Sequence, residues 1–230
     1  YCLAGASGYV FPIYAERGLR LPLTTAGWLS TFSALVTLGA AYAYIKRGAR
    51  LPRKKPLMAA GALALAAGAW MLAPLPPQAP AGALLLALAA KGIFGALLVL
   101  PVAGLTFRDL GEERFAHGYQ SKNLMRQVAG TFASALAAIT LQDREFANYS
   151  QIATHIDAAG PQASQWIDGL AATLTSQGMS GEAARHAALA TLSGMVEQQA
   201  LLMSCEDLYR LIATLALGAA LLILVQRRLK

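Results

Sequence analysis

At 230 residues, 56% of them hydrophobic and 13% charged, the chain carries roughly half the charge of a water-soluble domain, which is about 25% charged. With 21 Gly, 10 Pro and a mean hydropathy of +0.46, that composition excludes a disordered chain and argues for an all-α polytopic membrane protein over a soluble enzyme. The net charge of +7 would suit a nucleic-acid binder, but the cations cluster between apolar runs, so no nucleic-acid partner is expected.

A helix needs about 20 apolar residues to climb a hydrocarbon core about 30 Å thick at about 1.5 Å per residue. The first apolar run, residues 1–15, is too short, and residues upstream of Tyr1 are expected to complete it. Five full spans follow, at 21–45, 57–75, 81–107, 115–141 and 208–225. Six membrane helices are therefore expected, the first truncated, in a bundle. The loop after the second run carries Lys46, Arg47, Arg50, Arg53, Lys54 and Lys55 without an acid, and the tail adds Arg227, Arg228 and Lys230. The excess of Lys and Arg places both on the cytoplasmic side of a bacterial inner membrane, together with Arg108 and Arg114. The uncharged connector around Pro76, Pro77 and Pro80 falls on the opposite face.

Residues 142–207 differ from the rest. They hold eight acids and two bases, net −6, which leaves +13 for the remainder of the chain. Long loops cross a membrane largely regardless of charge, so this segment is expected to be periplasmic. Leu189, Leu192, Met195 and Val196 recur at helical spacing, and Ser180 and Glu182 resemble a helix start. Gly160-Pro161 reads as a break between helices, and Ser204 with Asp207 as a capping box opening the last span. The division is thus 1–141, with five spans, 142–207, the partly helical acidic loop, and 208–230, the last span with its basic tail.

Catalytic constellations are not found. His117, His155 and His186 are far apart, and no phosphate-binding loop, nucleotide fingerprint or nucleophile elbow occurs. Neither an enzyme nor a cofactor is expected. His186, four residues after Glu182, reads as a solvated helix face rather than a metal ligand, and Cys2 and Cys205 are too few for a disulfide framework. The informative residues are cations inside spans, because a charge near the bilayer centre is costly and turns toward protein or water. Lys91 sits ten residues into its span, about 15 Å deep by the helical rise, and Arg126 is similarly deep in the next. Lys122 and Arg210 lie nearer span ends, where a long side chain snorkels to the headgroups. Pro101 should kink the helix that Gly92 and Gly95 thin, and no Asp or Glu falls within any of these runs.

From Lys91 onward, the sequence KGIFGALLVLPVAGLTFRDLGEERFAHGYQSKNLMRQVAGTFASAL resembles the 14-helix drug/proton antiporters of the major facilitator superfamily, the multidrug-efflux permease type. The likeness rests on Gly92, the Leu100-Pro101 pair, Asn123, Arg126 and Gly130 at N-x-x-R-x-x-x-G spacing, Arg144-Glu145 at the following helix end, and EQQALLMSCEDLYRL before the last span. It implies that the six helices are helices 9 to 14, the C-terminal half of such a transporter, with the acidic segment as its periplasmic loop. It further implies export of amphipathic small molecules by proton antiport, and a periplasmic adaptor protein and outer-membrane channel as partners beside the lipid bilayer. Lys91, Pro101, Asn123, Arg126 and Gly130 become the candidates for the substrate cavity or for helix packing. The chain departs from that family in lacking the N-terminal bundle with its proton-coupling acids. The competing expectation is a non-transporting membrane scaffold or sensor that binds a partner through the acidic loop; it predicts indifference to Lys91 and Arg126.

Overall fold

The structure, a computed structural model, describes residues 1–48, 54–76, 79–107, 112–155 and 161–226. Arg50, Arg53, Arg108, Arg227, Arg228 and Lys230, on which the expected orientation partly rests, lie outside the described residues, as do Pro77, Asp157 and Gly160. All described elements are helices, and among the described residues there is no strand. They are α1 (Cys2–Ile13), a π-helical turn (Tyr14–Gly18), α2 (Leu23–Lys46), α3 (Lys55–Leu72), α4 (Ala81–Phe107), α5 (Glu112–His155), α6 (Pro161–Ser176) and α7 (Gly181–Val225). Proline marks several starts: Pro22 precedes α2, a proline stands in the first turn of α3, Pro80 precedes α4 and Pro161 opens α6. A missing N–H costs nothing in a first turn, where it would have no helical partner.

Five helices, α2, α3, α4, α5 and α7, are long and apolar enough to cross a membrane. The first apolar run is also helical, but α1 has only 12 residues before the π-helical turn. Helix α2 exposes several large apolar side chains, among them Leu23, Leu35, Leu38 and Ile45, with Trp28 75% exposed. Such a surface is unsuited to water and suited to lipid or a neighbouring helix.

Two compact units are formed, one from Tyr1–Ile139 with Cys205–Lys230, the other from Thr140–Ser204. In the first, α4 is packed by both α2 and α3 through small residues. A Cβ at Gly61 of α3 would lie 3.0 Å from the Leu98 amide nitrogen, and one at Gly68 would lie 2.8 Å from the Ala87 carbonyl oxygen. Gly92 of α4 meets α2 in the same way, 2.7 Å from the Ser33 carbonyl oxygen. Close backbone approach of this kind replaces the hydrophobic driving force that is weak between helices in lipid. Helix α4 continues through the buried Pro101 to Phe107.

Two tyrosines close the other side of this unit. Tyr14, fully buried, donates its hydroxyl to the Leu72 and Leu75 carbonyl oxygens at 3.3 and 3.2 Å, at the end of α3 where carbonyls lack helical partners. Its ring meets Tyr209 edge-on, with centroids 5.4 Å apart. The Tyr209 hydroxyl is buried without a hydrogen-bond partner among the described residues. The two hydroxyls should therefore respond oppositely to removal. Tyr14→Phe should destabilise by about 1 kcal/mol or more through the bonds lost at these two carbonyls, of which Leu72 keeps the Leu75 amide, whereas Tyr209→Phe should be neutral or stabilising, since an unmade buried bond costs about 1–3 kcal/mol. Thermal unfolding of both variants in detergent checks this; a loss of stability in Tyr209→Phe would contradict the assignment.

The second unit contains the C-terminal part of α5, helix α6 and the first part of α7. Gly178, at φ +99°, ends α6 in the left-handed region, where the Met179 amide returns to the Leu174 carbonyl oxygen. Ser180 then starts α7, accepting a hydrogen bond from the Ala183 amide. The sequence reading placed a further helix start at Ser204, and this is not observed. Ser204 lies inside α7, fully buried; its hydroxyl donates to the Ala200 carbonyl oxygen and accepts from the Asn148 amide at 2.9 Å. A serine bonding back four residues is compatible with a helix interior, so the polar spacing alone did not mark an end. Likewise Arg144-Glu145 lies within α5, which continues to His155, rather than at a helix end.

Candidate functional site

Lys91 lies in the middle of the apolar helix α4 and lines a cavity of about 290 Å³ within the first unit. Three helices build it. Helix α1 supplies Ala4, Ser7 and Phe11; α2 supplies Ser30, Ser33, Ala34 and Thr37; α4 supplies Leu88, Lys91, Phe94 and Gly95. Ser7, Phe11, Ser33, Leu88 and Phe94 are buried, while Ala4, Ser30 and Ala34 are exposed and mark its open side. The cavity exists because small residues bring α2 and α4 together just behind it. A Cβ at Gly95 would stand 3.2 Å from the Thr37 methyl group, and Gly92 leaves room for the Val36 side chain.

The Lys91 ammonium donates to the Ser7 carbonyl oxygen at 3.2 Å and stands 5.4 Å from the centre of the Phe11 ring. An ammonium carries three donors, so the contact with Ser7 leaves two available. The ring face adds a favourable quadrupole term, worth about 0.5–2 kcal/mol. No carboxylate is among the residues that line the cavity. The hydroxyls of Ser33 and Thr37 donate to the Leu88 and Ser33 carbonyl oxygens, at 3.1 and 2.9 Å. Those of Ser7 and Ser30 make no hydrogen bond among the described residues. The chemistry offered is one cation, uncommitted hydroxyl donors and two aromatic walls.

The remaining sequence candidates lie elsewhere. Pro101 is buried in α4, ten residues after Lys91, and does not line the cavity. Asn123 is half-buried and Arg126 exposed on α5, and neither lines the cavity. Gly130 of α5 is a packing position: its carbonyl oxygen lies 2.6 Å from where a Gly5 Cβ would stand, and Ser134 one turn further donates to the Gly5 carbonyl oxygen. The structure brings none of these four together with Lys91 in the cavity. Arg210, expected to snorkel, is paired with Glu206 one turn earlier. The sequence reading missed Phe11 and the polar stripe of α2. The signal was present: Ser30, Ser33 and Thr37 are spaced three and four apart, which places them on one helical face. Compared with known protein families, curated proteins and solved structures, the chain matches none.

Proposed function

We propose that the protein is the C-terminal helical bundle of a secondary transporter that exports drugs or other amphipathic compounds across the bacterial inner membrane, by proton antiport. The observation that carries the reading is the cavity at Lys91: a cation and several hydroxyls set within helices whose composition suits lipid. Intramembrane ionisable groups are expensive and mark substrate or ion pathways. Transporters of this architecture rock two bundles about a site near the bilayer midplane. A cavity lined by α1, α2 and α4 on one bundle would supply half of such a site, with α3 and its glycine contacts bracing α4 from behind. The acidic unit, Thr140–Ser204, would lie in the periplasm, where an adaptor protein and outer-membrane channel could dock on it.

The test is export itself. An efflux-deficient bacterium producing the whole gene product should accumulate less amphipathic dye than the same host without it. Equal accumulation across anionic, neutral and cationic dyes, with the protein present in the inner-membrane fraction, would overturn the reading. Topology supplies an independent check. A cysteine placed at Ser164 of α6 should be labelled by an impermeant reagent in cells whose outer membrane alone is opened, and a tag after Lys230 should report cytoplasm. Labelling of residue 164 only after the inner membrane is broken would invert the orientation.

A further inference from the structure

We infer that the Lys91 cavity recognises a small monoanion with an aromatic body, an aromatic monocarboxylate, and discriminates against organic cations. The inference rests on the reading of this cavity as the cargo site, and concerns which charge and shape it accepts. Charge comes first. The lining contains one cation and no carboxylate, so a ligand bearing one negative charge is matched within the cavity, and a positively charged one is repelled by the ammonium and finds no carboxylate to offset it. A dianion would keep an unmatched charge in a weakly screening environment, which restricts the class to single charges.

Hydrogen bonding narrows the class further. After its bond to Ser7, Lys91 keeps two N–H donors, and the hydroxyls of Ser7 and Ser30 add two more. A carboxylate has two oxygens able to accept from such a set, and charge-assisted bonds are the strong ones. Shape completes the argument. Phe11 and Phe94, with Leu88, are buried apolar walls, and about 290 Å³ lies just below the roughly 300–1,000 Å³ typical of ligand pockets, which restricts the ligand to a small one. A compact aromatic ring fits these walls beside a headgroup at Lys91.

Equilibrium binding to the intact protein in phosphatidylcholine nanodiscs tests this without requiring transport. Three probes of equal shape are used: naphthoate, naphthylmethanol and naphthylmethylammonium. Naphthoate should bind at least about tenfold tighter than the ammonium probe, with the alcohol between them. Lys91→Gln should bring the three affinities within about twofold, and Lys91→Arg should keep the order, which shows that the cavity still forms. Equal affinities in the native protein, or a preference that survives Lys91→Gln, would overturn the inference. So would a Lys91-dependent enrichment of phosphatidylglycerol in mixed nanodiscs with no naphthoate binding, which assigns the site to a lipid headgroup. Dye export that persists without any preference for naphthoate would leave the transporter reading standing and remove the carboxylate alone. Selective binding without export in cells would do the reverse.

Discussion

Replacing Lys91 by glutamine should lower the efflux of an anionic amphipathic dye by about tenfold or more, while a cationic dye changes by less than about twofold. The change removes the single cation of the cavity and keeps a side chain of similar length with hydrogen-bonding capacity. Hydrogen bonds to a charged group contribute about 1.5–3 kcal/mol, and about 1.4 kcal/mol is a factor of ten. The protein should not suffer for it. A charge at the centre of a membrane helix costs about 2.5–3.5 kcal/mol on insertion scales, so the amount of protein in the membrane should be unchanged or higher. Efflux rates of the two dyes, measured at matched protein levels, decide the matter. If neither dye is affected, Lys91 serves packing through its contacts with Ser7 and Phe11 and takes no part in cargo recognition.

The second large effect concerns the packing that creates the cavity. Gly92→Val should destabilise the protein by about 1–3 kcal/mol or more and reduce export of all dyes together. The new Cβ would stand 2.7 Å from the Ser33 carbonyl oxygen and 3.0 Å from Val36, both on the facing helix α2. Backbone cannot rotate away as a side-chain tip can, so α2 and α4 must separate, and overpacking of this kind typically costs that amount. Gly82→Ala, in the first turn of the same helix, is the control: nothing lies within 4 Å of its Cβ. Alanine is favoured over glycine in a helix by about 0.5–1 kcal/mol, so that variant should be neutral or slightly stabilised. Thermal unfolding in detergent separates the two. Equal midpoints for Gly92→Val and the native protein would show that α2 and α4 are not held at this separation.

The sequence by itself determined that the molecule is all-helical and where its long apolar stretches lie. Spans need only length and the absence of charge, both one-dimensional properties, and each of the five full runs overlaps one of the five helices long and apolar enough to cross. The cost of charge in an apolar span singled out Lys91 and Arg126 alike, of which only Lys91 lines the cavity. Helix ends were less legible. Ser204 and Asp207 have the spacing of a capping box, yet α7 runs through them from Gly181, because a buried serine can bond within the helix and to Asn148. Composition changes near residue 142 and again near 207, but α5 and α7 cross both points, since solvent alters which residues are tolerated without altering helical hydrogen bonding.

The cavity was decided only by tertiary structure. Lys91 and Arg126 are equivalent as sequence features, each a cation about ten residues into an apolar run. Packing alone distinguishes them, turning Lys91 toward Ser7 and Phe11 and leaving Arg126 exposed on α5. Its partners come from positions 80 and 84 residues earlier in α1, and a hydroxyl stripe on α2 becomes a wall because glycines at 92 and 95 let α4 approach it. Periodicity shows which residues share a helical face; which face meets which neighbour is set by the fit of small residues against backbone across the bundle.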